Sequence, residues 1–277
     1  AVSQGSAELG HGAAYYWRGK TEATQFFASI PFGMTAQELN NWYYHMGGRE
    51  LQDELGELFN LKTFAAGNTG AQAGGWFKKE INSPEDFNGL RFRMPGLGGK
   101  ALGHLGASVQ NIPGAEVYNA LAKDEIDGTE WIGPWADEKA GFFEITKIYY
   151  TSGFHEPGPG LSLAFNRDVY NDFTPAEQKI VECAAAEVNV WGLSQFLANN
   201  GAALQRLISQ GVQTLTFPES VWDAFGTASE QVYEENMTDA MFAKTFDSYR
   251  DSLVKSAGWM SLAGSTYAAE RNRVLGI

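Results

Sequence analysis

The chain has 277 residues, 44% of them hydrophobic and 13% aromatic, and a formal charge of −13 with only 20 lysines and arginines. That length allows one large domain or two of medium size, and the acidity argues against nucleic acid or an anionic membrane as the main partner. No apolar run approaches the ~20 residues a membrane helix needs, and the single cysteine, Cys183, rules out an intrachain disulfide.

In chain order, AVSQGSAELGHGAAYYW carries no basic region and no signal-peptide core. It reads like the interior of a fold, a helix end at VSQG followed by a strand over AELGHGAAYY, so residues are expected before Ala1. The stretch IPFGMTAQELNNWYYHMGGRELQDELGELF reads as a turn and two helices. Thr35 and Glu38 form a capping box for the first, and Gly47 with Gly48 separates the pair. LKTFAAGNTG runs from a strand into a loop. SPEDFNGLRFRMPG opens with a helical turn and continues into a strand from Leu90 to Met94, stopped by Pro95. A helix over GLGGKALGHLGAS and a short strand at SVQNIP follow. GAEVYNALAKDEIDGTEWI reads as a helix ending near Lys123 and then a strand. PWADEKAGFFEIT is helical, and IYYTSGFHEPGPGLSLAFN is extended. The longest helix starts on Thr174, Pro175 and Glu177 and stops at Gly211. It would span roughly 50 Å at 1.5 Å per residue, enough to bridge two domains. Cys183, inside it, reads as a buried, inert thiol. A strand VQTLTF and further helices from Pro218 complete the chain. Alternating strands and helices argue an α/β fold.

Four segments carry chemistry. In RFRMPG, Arg91 and Arg93 share one face of a strand, and one of them beside a loop makes a planar fork for a carboxylate; the bland alternative is a solvated surface arginine. GNTGAQAGGWF surrounds Gln72 with glycines and leads to Trp76 without the lysine of a phosphate loop. Glu130 and Trp131 sit in DGTEWIGPWAD, and Glu156 in GFHEPGPG. A buried carboxylate is costly unless paired. Glu130 and Glu156 read as acid and base of a hydrolase, as oxygen ligands of a hard cation with the Gln72 amide as a third, or as unrelated surface acids. Four scattered histidines give no zinc spacing, and neither GxSxG nor HExxH occurs.

Taken together, GAAYYWRGK, FFASIPFGMTAQELNNWYYHMGG, AQAGGWFKKEI, FNGLRFRMPGLGGKAL, DEIDGTEWIGPWAD and GFHEPGPGLSLAFN resemble the substrate-binding proteins of TRAP (tripartite ATP-independent periplasmic) transporters, in their 2-oxo acid and monocarboxylate branch. The resemblance covers nearly the whole chain. It implies a two-domain, periplasmic-binding-protein-like clam crossed by a long helix, with residues 1–70 and 160–203 in domain I and 71–159 and 204–277 in domain II. It places the carboxylate clamp on Arg93 and not Arg91. It implies a metal ion, Na⁺ or Ca²⁺, that bridges protein and ligand and is held by Gln72, Glu130, the main-chain carbonyl of Trp131 and Glu156. Tyr15 and Tyr16 would face the cleft from the other domain, and the asparagine of the crossing strand falls on Asn166. Members of the family begin with a strand–helix–strand block and a signal peptide that this chain does not show.

The expected function is that of a periplasmic receptor delivering a small 2-oxo or 2-hydroxy monocarboxylate to TRAP membrane subunits, with no role in nucleic-acid binding and no catalysis. The branch it resembles includes homodimers built through C-terminal helices, and the tail TYAAERNRVLGI would either serve that role or cap the fold. The rivals are a metal-assisted hydrolase or lyase using Glu130 and Glu156, and a sensor receptor built on the same clam.

Overall fold

The computed structural model describes residues 1–276, organised around two sheets. The smaller is antiparallel, in the order β1 (Leu9–Gly12), β8 (Gly160–Asn166), β2 (Leu61–Asn68). The larger runs β5 (Ser108–Gln110), β4 (Arg91–Arg93), β6 (Gly128–Thr129), β3 (Gly75–Phe77), β7 (Ile148–Tyr150), β9 (Gln213–Leu215). Within it β4 lies parallel to β5 and β6, β7 lies parallel to β9, and β3 is antiparallel to both neighbours. The mixed α/β class is as expected.

The helices form where capping and periodicity place them. Thr35 and Glu38 close a reciprocal box on α1 (Ala36–His45), and Gly47, at φ 94°, turns the chain into α2 (Gly48–Glu57). α3 (Gly96–His104) and α4 (Gly114–Ala122) cover the larger sheet. α5 (Pro134–Ala140) follows β6, and α6 (Arg167–Asn171) follows β8. α7 (Pro175–Ser209) is 35 residues long, with the Thr174–Glu177 box and Pro175 in its first turn, and Gly211 takes φ 87° just past its end. It lies against both β2 and α5, so it ties the two sheets together as expected. α8 (Glu219–Asn236) packs on α3, whereas α9 (Ala240–Met260) packs on α1 and α2. α9 continues through a π-turn at Ser261–Ser265 into α10 (Thr266–Leu275).

Four expectations change. The predicted strand over AELGHGAAYY ends at Gly12, and Ala14–Trp17 is a 3₁₀ turn that presents Tyr15 and Tyr16. The glycine-rich stretch before Trp76 closes into β3, with Trp76 wholly buried and stacked on Tyr149 at 4.3 Å. The predicted domain division assigns all of 204–277 to domain II, but α9 drives Phe242 and Tyr249 against Phe26 and Trp42 of domain I. Cys183 is exposed, not buried. Of the long helix only Ala185, Asn189, Ala203 and Leu207 are buried, so a run of small apolar residues there does not mark an interior face.

Two glycines decide how tightly the larger sheet closes around the site. Gly75 adopts φ +118°, and a Cβ there would stand 2.6 Å from the Thr129 carbonyl oxygen, so only glycine lets β3 approach β6 beside Glu130. A Cβ on Gly98 would meet the Cβ of His155 at 2.5 Å, which lets α3 press directly on the segment carrying Glu156.

Candidate functional site

Strand register brings the chemistry together. Arg93 is opposite Thr129 across β4 and β6, and the Glu130 amide donates to the Arg93 carbonyl at 3.2 Å. Arg93 and Glu130 are therefore side by side at the ends of neighbouring parallel strands, where α/β sheets usually place ligands. Their side chains form an ion pair, Nη1 to Oε1, with 4% and 1% of their side-chain surfaces exposed. The Arg93 Nε also donates to the Ile112 carbonyl at 3.3 Å, and the guanidinium lies 5.3 Å from the centre of the Trp131 ring. Burial opposes its charge, but Glu130 beside it, together with Tyr16 and Tyr15, holds the guanidinium above its ordinary value. Arg91 points elsewhere. It grips Asp127 on the surface, Nη2 to Oδ1 at 2.5 Å and Nε to Oδ2 at 3.0 Å.

The loops at Gln72 and Glu156 are stitched to each other and placed beside this pair. The Gln72 amide donates to the Glu156 carbonyl at 3.0 Å, and Gly153 N–H donates to the Gln72 carbonyl at 3.1 Å. Gln72 Nε2 donates to Thr69 Oγ1 at 3.2 Å, which fixes the amide and leaves Oε1 without a partner. Glu156 is buried, and its Oε2 has no partner either. Burial first, and then the negative charge of Glu130, hold the Glu156 carboxyl well above the usual carboxylate range, against the pull of Arg93 and the Tyr15 hydroxyl. Tyr15 and Tyr16 come from the smaller-sheet side, with Tyr15 facing Glu156 and Tyr16 facing Arg93. Burial and the Glu156 charge raise the Tyr15 hydroxyl well above its ordinary value, so it stays a donor. Further contacts bridge the same gap: Lys100 pairs with Glu22 at 2.6 Å, and Arg18 donates to the Gly96 carbonyl at 3.2 Å.

The structure thus brings Tyr15, Tyr16, Gln72, Arg93, Glu130, Trp131 and Glu156 into one cluster. Asn166 is not part of it, and the expectation that it binds ligand is corrected. The Gly160 end of β8 is the one near Gln72; Asn166 is at the far end of that strand, roughly 20 Å away at 3.4 Å per residue. Its side chain is already committed, Oδ1 capping α6 through Asp168 N–H at 3.0 Å and Nδ2 donating to the Val2 carbonyl at 2.9 Å.

Two residues escaped the sequence reading. His155 is buried with its Nε2 3.6 Å from Glu130 Oε2, in a slot that Gly98 and Gly153 leave open. Asp137 is wholly buried against Trp76 and Tyr149. An acid in the first turn of a helix reads as a partner of the helix dipole, and nothing in the sequence distinguishes it further.

Gln72, Glu130, Glu156 and the Trp131 carbonyl offer a cation only oxygen, while the His155 ring, its two nitrogens also without partners, stands beside Glu130. Gln72 Oε1 and Glu156 Oε2 are buried without partners, the Trp131 carbonyl accepts no hydrogen bond among the described residues, and Glu130 adds a second carboxylate. Such a set suits a hard ion and not zinc or copper. Among the described residues no group of three His, Cys, Asp or Glu side chains is arranged around a metal position. The site therefore fits a cation through two acids, an amide and a main-chain oxygen.

Known proteins resemble this chain in sequence and fold. The sequence pattern of DctP, bacterial extracellular solute-binding protein, family 7, matches residues 1–239. A monocarboxylate 2-oxoacid-binding periplasmic protein of Nostoc sp. is 41% identical over 251 residues, which are 90% of this chain and 69% of that protein. A TRAP periplasmic solute binding protein from Pseudoalteromonas atlantica, solved with bound sodium and pyruvate, superposes with a TM-score of 0.93 at 39% identity over 97% of this chain and 82% of its own. A TRAP transporter solute binding protein from Bordetella bronchiseptica, a mixed-occupancy dimer with calcium and picolinate in one site, gives a TM-score of 0.96 at 34% identity over 100% of this chain and 82% of its own. The chain belongs to the bacterial extracellular solute-binding proteins of family 7, the DctP family.

Proposed function

We propose that this chain binds a small 2-oxo or 2-hydroxy monocarboxylate, pyruvate- or lactate-like, in the periplasm and delivers it to TRAP membrane subunits. Arg93 takes the ligand carboxylate. A cation, Na⁺ or Ca²⁺, bridges the ligand to Gln72, Glu130, the Trp131 carbonyl and Glu156, while Tyr15 and Tyr16 close over it. The observation that carries the reading is the pair of buried, unpartnered oxygens, Gln72 Oε1 and Glu156 Oε2, beside a buried arginine. Buried polar atoms are ordinarily satisfied, and a cation would satisfy both. A 2-oxo acid supplies one carboxylate oxygen and the adjacent oxo oxygen to the same ion, which selects for oxygen at the 2-position. The proposed division is residues 1–70 and 160–203 in one domain and 71–159 and 204–277 in the other, with α9 moved to the first.

Family membership places the chain among solute-binding proteins and not enzymes, so the reading of Glu130 and Glu156 as acid and base gives way. The test is incubation with pyruvate in Na⁺ or Ca²⁺ buffer, followed by calorimetry and recovery of the ligand. One pyruvate per chain, recovered unchanged, is expected; no binding of any 2-oxo or 2-hydroxy acid, or turnover, would overturn the proposal.

The partner on the C-terminal helix is proposed to be a second copy of this chain. No residue of α10 is buried, and Trp259, Leu262 and Tyr267 are 73%, 75% and 67% exposed. Apolar residues repeated along one projecting helix mark an association surface, and the Bordetella relative is a dimer. Sedimentation should give a dimer, and Trp259→Asp with Leu262→Asp should give a monomer that still binds pyruvate. A wild type that stays monomeric at high micromolar concentration would rule out this interface.

A further inference from the structure

Asp137 sits in the first turn of α5 with no exposed surface. No positive group pairs with it, and burial pushes its carboxyl up to about 6 against four hydrogen bonds. Its two oxygens are fully used. Oδ1 accepts from the Ile132 and Gly133 amides at 3.0 and 2.9 Å, and Oδ2 accepts from Trp76 Nε1 at 2.9 Å and the Tyr149 hydroxyl at 3.0 Å. An ionised carboxylate has about four acceptor positions, so this is its full complement.

The consequence lies in one peptide plane. The Ile132 N–H and the Trp131 C=O belong to the same trans peptide and point in opposite directions. A carboxylate that holds the N–H on one side therefore aims the carbonyl at the other. The next carbonyl, of Ile132, accepts from Ala73 N–H at 3.0 Å, which ties this turn to the residue after Gln72. The Trp76 bond ties it to β3.

We infer that Asp137 is a positioning residue: by holding the Ile132 and Gly133 amides it points the Trp131 carbonyl into the cation site. The inference rests on the proposed cation site and adds to it the residue that orients one of its ligands. An amide at position 137 keeps an oxygen for one pair of donors but turns an NH₂ group toward the other. Trp76 Nε1 can only donate, so Asp137→Asn meets a donor whichever way its NH₂ is turned, and with the NH₂ toward Trp76 and Tyr149 its oxygen still holds the Ile132 and Gly133 amides. An apolar residue there would release it altogether.

The test uses the full chain with pyruvate present. Ca²⁺ affinity is read by calorimetry, and Tb³⁺ luminescence lifetimes in H₂O and D₂O count the waters on the bound ion. Asp137→Leu should weaken Ca²⁺ binding by about 10- to 100-fold, the range for partners that orient metal ligands, and should add about one water to Tb³⁺ as the carbonyl is lost. Tyr149→Phe, which removes a donor from the other oxygen only, should leave the water count unchanged. A merely structural role would lower the melting temperature without changing ion hydration in the folded protein. Amide exchange of wild type serves even if Asp137→Leu does not fold: the Ile132 amide should be strongly protected, and free exchange there would overturn the inference. A wild type that binds neither ion brings down the cation site and this assignment with it. A wild type that binds both, beside an Asp137→Leu variant of equal affinity and hydration, brings down the role of Asp137 alone.

Discussion

Arg93→Lys lowers the affinity for pyruvate by about 30-fold or more, while Arg91→Lys leaves it within about twofold. Truncating or misplacing a buried charge partner costs roughly 2–5 kcal/mol, and 1.4 kcal/mol is about tenfold. Arg93 is held in three ways: by Glu130, by the Ile112 carbonyl and by the Trp131 ring. Those contacts set the plane of the guanidinium, and a carboxylate can meet its fork with two parallel hydrogen bonds once Glu130 is drawn to the cation. Lysine keeps the charge but offers a point donor that cannot reproduce that fork. Because the charge remains, Glu130 is not stranded, which makes lysine a cleaner probe than alanine; removing one member of a buried pair outright costs about 3–5 kcal/mol in stability. Arg91 is a control of the same chemistry on the same strand. Its pair with Asp127 is partly exposed, 41% and 29% of the two side chains, and such pairs are worth at most about 1 kcal/mol. Calorimetry on both variants decides the matter, and the reverse ranking would remove Arg93 from the site.

How far the sequence reaches depends on the kind of signal. Caps and breakers act within a few residues, so α1 and α7 are legible with their starting boxes at Thr35 and Thr174 and the stop at Gly211. Strand β3 is three residues long and buried on both sides between β6 and β7; no alternation can show in so short a run, and the glycines before it read as a loop. The exposure of Cys183 and the docking of α9 on α1 depend on contacts from distant parts of the chain. The site divides in the same way. Gln72, Arg93, Glu130 and Glu156 come from four segments that no spacing rule connects, and only their resemblance to a family assembles them. The β4–β6 register supplies the physical reason two of them meet. Asn166 fails because a side chain that caps a helix cannot also serve a cleft. Asp137 is invisible beforehand because its role lies in the backbone of Ile132 and Gly133, whose N–H groups every sequence has.

Stripping the cation lowers pyruvate affinity by about a hundredfold or more. With the ion bound, Glu130 and Glu156 bring two negative charges and the ligand a third, against one from Arg93; without it, burial and Glu130 favour a neutral Glu156. A divalent ion balances all three with the arginine; sodium leaves one negative charge over. Two like charges 4 Å apart repel by about 4 kcal/mol at an effective dielectric constant near 20, and both glutamates are almost without solvent exposure. Glu130 also occupies Arg93 directly in an ion pair. A cation that draws Glu130 into its own shell frees the fork for the ligand, so ion and ligand bind together. Exhaustive chelation and dialysis against a large organic cation salt should therefore weaken pyruvate binding. Adding back Na⁺ or Ca²⁺ should restore it, and the one that works identifies the ion. Glu130→Gln keeps a coordinating oxygen and loses the charge. It should weaken cation binding and, in ion-free buffer, bind pyruvate better than the ion-free wild type, because Arg93 is no longer claimed. Its affinity should respond little to added cation. Parallel titrations of the two proteins, with and without each ion, separate the outcomes. Wild-type affinity that is the same in ion-free buffer as with either ion ends the bridging role of the cation and leaves Glu130 as an ordinary partner of Arg93.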